Sequence, residues 1–245
     1  MMDREIIVVD DIEGLAVRAA EEIAHVAGDA ICTHGEFTFC LTGGETPAPI
    51  YELLATRFHH SIDWSEVQFF WGDERCVPPD DSASNFGLAH RTMLSKLDLR
   101  PEQVHRMRGE DPPDQAAAAY ERDLQNFFKI TAGELPSFNL VMLGLGDNAH
   151  IASLFPHTPS IHVKDRLAIA VEVDAPQRHR ISLTAPVINQ AAYVLFVVSG
   201  ASKAEAVKHV LDDPPDPDSF PAQLVMPDRG HVLWLVDKDA ARLLA

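Results

Sequence analysis

The sequence predicts an α/β protein, on the strength of two observations. Apolar runs of strand length alternate with helical patterns along nearly all of the 245 residues. Three of these runs end directly in a glycine turn that leads towards a helix, as the strands of open α/β sheets do. The run at residues 140–143 is apolar throughout, which is typical of a parallel strand buried on both faces.

The first part of the chain contains four predicted strands. They cover residues 6–9, 37–41, 67–71 and 138–143. Helices are predicted from a cap at Asp10 or Asp11 to about residue 33, after Pro47, over 84–94 and over 112–128.

The last third continues the same alternation. Strands are predicted at 167–171, 178–184, 193–198 and 232–236. A short helix is predicted after Pro186, another with Lys203 in its first turn, and a terminal helix capped by Asp237. The sequence contains neither an internal repeat nor a linker long enough to separate domains. We therefore expect one α/β domain over residues 1–245.

A glycine-rich stretch after the strand at 138–143 is the main candidate site. Gly144 and Gly146 allow a tight turn, and a short helical piece is expected near His150, ending before Pro156. This places His150 at the carboxyl edge of the sheet, where open α/β folds bind ligands. Gly144-x-Gly146-x-x-Ala149 also fits a loose dinucleotide fingerprint, but Pro156 leaves too little room for its helix. Spacing alone leaves a catalytic and a structural role for His150 equally open.

Two further turns suit an anion. After the strand at 37–41, Gly43, Gly44, Thr46 and Pro47 combine free backbone N–H groups, a hydroxyl and a helix N-terminus, although an ordinary tight turn remains the alternative. After the strand at 193–198, Lys203 falls in the first helical turn, where a cation opposes the helix dipole. A bound phosphate would explain that position.

The strand at 67–71 leads into three charged residues, Asp73, Glu74 and Arg75. Three consecutive charges at the end of a strand are not expected in the core. We predict a conformationally restricted loop, flanked by Gly72 and Pro78.

Composition excludes several partners. The net charge of −17 disfavours nucleic acid and anionic membranes, so the basic contacts to an anionic ligand must be local. Three scattered cysteines argue against a disulfide framework or a zinc site and favour a cytoplasmic location. The charged start, Met1 to Glu5, does not resemble a signal peptide, and no run reaches the length of a membrane span.

Several motifs together resemble the 6-phosphogluconolactonases of the glucosamine-6-phosphate isomerase/6-phosphogluconolactonase family. They occur in order along the chain: Leu41-Thr42-Gly43-Gly44-x-Thr46-Pro47, Phe70-Trp71-Gly72-Asp73-Glu74-Arg75-x-Val77-Pro78, Ser84-Asn85, Gly144-Leu145-Gly146 through His150-x-Ala152-Ser153-Leu154-Phe155-Pro156, Arg180-Ile181-Ser182-Leu183-Thr184, Ser199-Gly200-x-x-Lys203, Pro221-Ala222, and Trp234-x-x-Asp237-x-x-Ala240. Each motif is weak alone, but their order along nearly the whole chain is specific.

The resemblance implies a Rossmann-like parallel sheet with a mixed edge and helices on both faces, like that of glucosamine-6-phosphate deaminases and ribose-5-phosphate isomerases. It also implies hydrolysis of 6-phospho-D-glucono-1,5-lactone, the second step of the oxidative pentose phosphate pathway. A lactone is an activated ester, so neither a metal, a cofactor nor a covalent nucleophile is expected. The expected partner is this phosphorylated sugar lactone, and the expected state is a monomer or a small homo-oligomer.

Site roles follow from the same resemblance. His150 is the expected base, and Arg75 or the backbone N–H groups of the Gly44 or Gly146 turns would stabilise the carbonyl oxygen. The substrate would be held by Gly43, Gly44, Thr46, Gly146, Arg180 and Lys203. Asp73 is expected to orient Arg75 or a substrate hydroxyl, with a plain Asp73–Arg75 ion pair as the alternative.

The chain departs from the family where Asn148-Ala149 stands in place of the usual Asp-Gly. The alanine suggests that this turn needs no positive φ. One alternative function is an amino-sugar phosphate isomerase or deaminase, but those enzymes carry carboxylates where this chain has Asn148 and Phe155. The other alternative is a sugar-phosphate-binding regulator without catalysis, which would not need His150.

Overall fold

The computed structural model describes residues 4–174 and 176–244. Within them lie nine strands: β1 Arg4–Val9, β2 Phe37–Leu41, β3 Val67–Trp71, β4 Asp73–Arg75, β5 Leu140–Leu143, β6 Ala168–Glu172, β7 His179–Leu183, β8 Tyr193–Val198 and β9 His231–Asp237. The α-helices of the same ranges are α1 Ile12–His34, α2 Pro47–Ala55, α3 Asn85–Thr92, α4 Pro113–Phe128, α5 Ala185–Asn189, α6 Ala204–Leu211 and α7 Lys238–Ala241. Residues 1–3, on which the prediction of no signal peptide partly depends, lie outside the described residues.

Six strands form one parallel sheet in the order β1-β9-β8-β5-β2-β3. Strands β2, β3, β5 and β8 are almost entirely buried, which explains why their sequences read as continuous apolar runs. Because all six strands run in the same direction, their carboxyl ends meet at one edge. The turns after β2, β5 and β8 therefore lie side by side.

Side chains of each central strand alternate between two hydrophobic layers. On β5, Leu140 and Met142 pack with α1, α2 and α3, whereas Val141 and Leu143 pack with α4, α5, α6 and α7. Both faces of the sheet are therefore covered by helices. The antiparallel strands of the predicted mixed edge form a three-stranded sheet of their own, in the order β4-β7-β6. The predicted fold class is confirmed.

Helix boundaries follow the capping residues. The side chain of Asp11 accepts a hydrogen bond from Gly14 N and starts α1, which ends at Gly35 with a φ of 79°. The side chain of Asp237 likewise accepts from Ala240 N at the start of α7. Of the two predicted capping residues, Asp10 and Asp11, it is therefore Asp11 that caps α1.

Two local predictions are wrong. The stretch after Gly146 forms turns and a single bridge between Ile151 and Leu154, with no helical piece near His150. Residues 73–75, predicted as a loop, form strand β4, which pairs antiparallel with β7. The second error arises because β4 pairs with a strand about one hundred residues later in the chain, which local sequence does not report.

None of the helices in these ranges is long and apolar enough to cross a membrane. The single domain over residues 1–245 stays a prediction.

Candidate functional site

A cleft of about 290 Å³ opens at the carboxyl edge of the parallel sheet. It is bounded by the turns after β2 and β5, by strands β4 and β7, and by the start of α6. Of the predicted site residues, the cleft brings together Gly43, Gly44, Asp73, Arg75, Gly146, His150, Arg180 and Lys203. Thr46 instead lines an adjoining cavity of about 450 Å³, which shares Gly44 and Lys203 with the cleft.

The imidazole of His150 is held by Asn148. The ring nitrogen Nδ1 lies 2.6 Å from Asn148 Oδ1. Because an amide oxygen only accepts hydrogen bonds, Nδ1 carries the proton of the neutral ring and donates to Asn148. Nε2 is therefore left with its lone pair, as a general base requires.

The ring of His150 packs between Phe155 and Gly146. It stacks on Phe155 with centroids 4.0 Å apart and an interplanar angle of 15°. On Gly146, an added Cβ would lie 1.9 Å from His150 Nδ1. The second glycine of the turn thus makes room for the catalytic candidate, a role that the sequence analysis did not assign to it.

Burial lowers the pKa of His150 from 6.5 to about 4. The carboxylates of Asp73 and Asp147 act in the opposite direction, while the cations of Arg180 and Lys203 lower the pKa further. The imidazole is therefore neutral at pH 7. A neutral histidine whose Nε2 carries no proton in the resting site can take one from water there.

The turn that carries His150 uses a left-handed residue. Ala149 has a φ of 61°, so the expectation that this position needs no positive φ is wrong. The turn closes through hydrogen bonds from Ala149 N to Gly146 O and from Gly146 N to His150 O, each 2.9 Å. The Ala149 methyl is fully buried in the core, and this burial offsets part of the backbone cost.

Asp73 is buried, and its carboxylate is fixed by neighbours. Its oxygens accept hydrogen bonds from Ser153 Oγ at 2.7 Å and from Asn85 Nδ2 at 2.9 Å. In the described ranges it forms no ion pair with Arg75, so the plain Asp73–Arg75 ion pair is wrong. These hydrogen bonds hold the Asp73 carboxyl group in one position beside His150.

Glu74 does not line the cleft, and its carboxylate binds the N-terminal end of helix α3. Its carboxylate accepts hydrogen bonds from the backbone N–H groups of Arg75, Asn85 and Phe86 and from Ser84 Oγ. Burial raises its pKa, and these hydrogen bonds work against that rise. The two carboxylates of β4 can be buried because each accepts hydrogen bonds from neighbouring donors. The prediction of a charged loop outside the core is therefore wrong.

Arg75 and Arg180 are opposite each other in the β4–β7 pairing. Arg75 Nη1 donates to Ala83 O at 2.7 Å, and Arg180 Nε donates to Gln177 O at 3.2 Å. Burial lowers the pKa of Arg180, and the positive charge of Arg75 lowers it further, against the effect of Asp73. Within the described residues neither guanidinium forms an ion pair, so both are available to an anion.

The turn between β2 and α2 presents a row of backbone donors. Gly44 has a φ of 98°, and across residues 43–46 the described structure contains no hydrogen-bond acceptor for the backbone N–H groups. An added Cβ on Gly43 would lie 1.8 Å from Asn85 Oδ1, so only glycine fits there. Thr46 occupies the N-cap of α2 without capping it through its side chain, which leaves its hydroxyl free for a ligand.

Lys203 lies at the junction of the cleft and the adjoining cavity. It forms an ion pair with Asp147, with 2.6 Å between Nζ and Oδ1. Asp147 was not among the predicted site residues, and the roles of Asn85 and Ser153 in holding Asp73 were not predicted either. Asn85 and Ser153 were part of the motifs, but only their position next to a buried carboxylate shows what they do.

The model of the glucosamine-6-phosphate isomerases/6-phosphogluconolactonase family matches residues 10–234. The chain is 39% identical over 245 residues to a 6-phosphogluconolactonase of a Nostoc species, covering 100% of both chains. It is 40% identical over 216 residues to a 6-phosphogluconolactonase of a Synechocystis species, covering 88% of each. A solved 6-phosphogluconolactonase from Trypanosoma brucei superposes with a TM-score of 0.88 at 26% identity, over 100% of both chains.

Replacing Asn148 by aspartate should raise the pKa of His150. A carboxylate facing Nδ1 stabilises the imidazolium more than a neutral amide does, and such a charge typically shifts a pKa by about one to three units. Titration of the His150 ring by NMR should give a midpoint near 4 in the wild type and a higher one in Asn148→Asp. Equal midpoints would show that Asn148 does not govern the protonation of His150.

Adding a methyl group at Gly146 should displace the His150 ring, because the new Cβ would fall 1.9 Å from Nδ1. Gly146→Ala should therefore move the ring towards solvent, and because burial is the main cause of its low pKa, the NMR titration midpoint of His150 should move upwards. Gly144→Ala is the matched control, since a Cβ at Gly144 meets no atom within 4 Å. Identical His150 titrations in the two variants would contradict the packing described above.

Proposed function

Because the chain belongs to the glucosamine-6-phosphate isomerase/6-phosphogluconolactonase family, we propose that it hydrolyses 6-phospho-D-glucono-1,5-lactone to 6-phospho-D-gluconate. The observation that carries this proposal is the state of His150. The ring is neutral, its Nδ1–H group donates a hydrogen bond to Asn148, and cations line the cleft around it. This arrangement suits the activation of water beside an anionic substrate.

His150 acts twice in the proposed reaction. Its Nε2 takes a proton from water as the water oxygen attacks the lactone carbonyl carbon, which gives a tetrahedral intermediate. The bond from this carbon to the ring oxygen then breaks, and the imidazolium returns its proton to that oxygen. The carbonyl carbon becomes a carboxylic acid, which loses its proton to solvent, and the ring oxygen becomes a hydroxyl group.

Arg75 stabilises the negative charge that develops on the carbonyl oxygen. Gly146 N is already engaged with His150 O, so we do not assign it this role. Asp73 and Asn85 lie beside the same cleft and are suited to accept and donate hydrogen bonds with the substrate hydroxyl groups.

The phosphate is held at the junction of the cleft and the adjoining cavity. Lys203 lines both, and Arg180 approaches from β7. The free N–H groups of residues 43–46 and the positive end of α2 favour an anion at the same place. Arginine provides a planar fork for phosphate oxygens and lysine a point charge.

Phe155 argues against a deaminase or isomerase reaction. Moving a proton between two carbons, or releasing ammonia, calls for further carboxylates around the substrate. Here the ring of Phe155 covers one face of His150, and the guanidinium of Arg180 lies 5.5 Å from the Phe155 ring centre. An amide, Asn148, occupies the other position. We further propose a cytoplasmic enzyme that is a monomer or a small homo-oligomer.

The decay of freshly generated lactone, followed against the spontaneous rate, tests the function. Wild-type protein should accelerate the decay, and His150→Ala should lose about 10²–10⁴-fold of the rate, the usual contribution of a positioned base. His162→Ala is the control, because His162 is an exposed histidine outside the cleft. Decay at the spontaneous rate with wild-type protein would refute the function. Acceleration by His150→Ala equal to that of the wild type would refute the role of His150.

Replacing Arg75 and replacing Arg180 should have different effects on kcat and KM. Arg75→Ala should mainly lower kcat, by about 10²–10³-fold, because it removes a donor to charge that forms only in the transition state. Arg180→Ala should mainly raise KM for the phosphorylated substrate, since it removes a contact present in both the ground state and the transition state. The reverse pattern would exchange the two assignments.

A further inference from the structure

The phosphate-binding lysine of the proposed site is already neutralised. Lys203 Nζ lies 2.6 Å from Asp147 Oδ1, and Ser202 Oγ lies 3.3 Å from the same carboxylate oxygen. The contact with Lys203 lowers the pKa of Asp147, so the carboxylate stays ionised at neutral pH. The side chain of Lys203 is 25% exposed and that of Asp147 is 68% exposed, so the pair is open to solvent on the side of Asp147.

The ion pair distinguishes Lys203 from the other cations of the cleft. Arg75 and Arg180 donate to backbone carbonyl groups, which carry no net charge. Among the described residues that line the cleft, Lys203 is the cation with a carboxylate partner. Asp147 and Lys203 both line the cleft and the adjoining cavity, so their ion pair lies where the two spaces meet.

We propose that Asp147 is a counter-ion that the substrate phosphate displaces from Lys203, and that it thereby sets the affinity of the site for phosphorylated ligands. This inference rests on the proposed function, because it takes the ligand to be a sugar phosphate. A phosphate dianion that approaches Lys203 must break the ion pair and then lies close to the released carboxylate. Both effects weaken binding.

The consequence is the same for substrate and product, because hydrolysis leaves the phosphate unchanged. Asp147 weakens the binding of 6-phosphogluconate and so favours its release. A ligand without phosphate has no group to exchange for the carboxylate. Its affinity should therefore not depend on Asp147, which makes the residue a determinant of how strongly the site distinguishes phosphorylated from unphosphorylated compounds.

The test removes the charge and keeps the shape. In isothermal titration calorimetry, Asp147→Asn should bind inorganic phosphate and 6-phosphogluconate about 2- to 5-fold more tightly than the wild type, the range expected for one partly exposed charge contact. Gluconate should bind equally to both proteins. Glu205→Gln is the matched control, because it removes one exposed negative charge near the start of α6 from a residue outside both cavities.

A double-mutant cycle locates the effect. In a Lys203→Ala background, Asp147→Asn should no longer tighten phosphate binding by the same factor, because the cation for which the two anions compete is gone. Asp147→Ser serves as a second variant if the asparagine protein does not fold. Unchanged phosphate binding would overturn the proposal. Weaker phosphate binding would also overturn it, by showing that Asp147 holds Lys203 in place for the ligand.

Failure of this inference can be told apart from failure of the proposed function, because phosphate binding is measured without turnover. If Asp147→Asn binds phosphate more tightly but the wild-type protein leaves lactone decay at its spontaneous rate, the function is refuted and the role of Asp147 is kept. Normal lactone hydrolysis with phosphate binding that does not tighten in the variants would refute the role of Asp147 alone.

Discussion

Parallel pairing of the six-stranded sheet is the constraint on which the site depends. It brings the carboxyl ends of β2, β5 and β8 to a common edge, so that turns far apart in sequence line one cleft. The three-stranded sheet then contributes what the parallel strands do not carry. Its β4–β7 pair brings Asp73, Arg75 and Arg180 against the same edge. Neither sheet contains the complete set of polar groups.

The site holds its carboxylates, guanidinium groups and imidazole in place by different interactions. The carboxylates of Asp73 and Glu74 are buried and fixed by hydrogen bonds from Asn85, Ser153, Ser84 and backbone N–H groups. The two guanidinium groups rest on carbonyl oxygens and keep free donors. The imidazole of His150 is kept neutral by burial. This arrangement is preorganised, since a substrate meets groups whose positions are already determined by the fold.

The elements that the sequence predicts well are those whose residues are buried on all sides. The predicted boundaries of β2, β3 and β8 agree with the structure, because a fully buried parallel strand needs an unbroken apolar run. The failures lie where neighbours decide the conformation. β4 is a strand because β7 pairs with it, and Ala149 adopts a positive φ because the turn around His150 closes through Gly146.

The residues of the site were predictable by type more readily than by role. Glycine turns, a histidine and a late lysine point to an anion site at the sheet edge. The sequence does not show that Gly146 gives room to the His150 ring, or that Asp147 neutralises Lys203. Those roles depend on distances between atoms, which a pattern of residue types does not contain. The same holds for Asn148: its amide oxygen orients the imidazole, but it adds no charge that would favour protonation.

The central claim is that a neutral His150 is the base, and the pH dependence of kcat/KM for lactone hydrolysis tests it most directly. The spontaneous rate is subtracted at each pH, and the ionisation of the substrate phosphate is determined separately by ³¹P NMR. Since the pKa of His150 lies near 4, the corrected kcat/KM should remain level as the pH falls from 7.5 through 6 and should decline only as the pH approaches that value. A decline by half near pH 6.5, the ordinary value for histidine, would contradict the account.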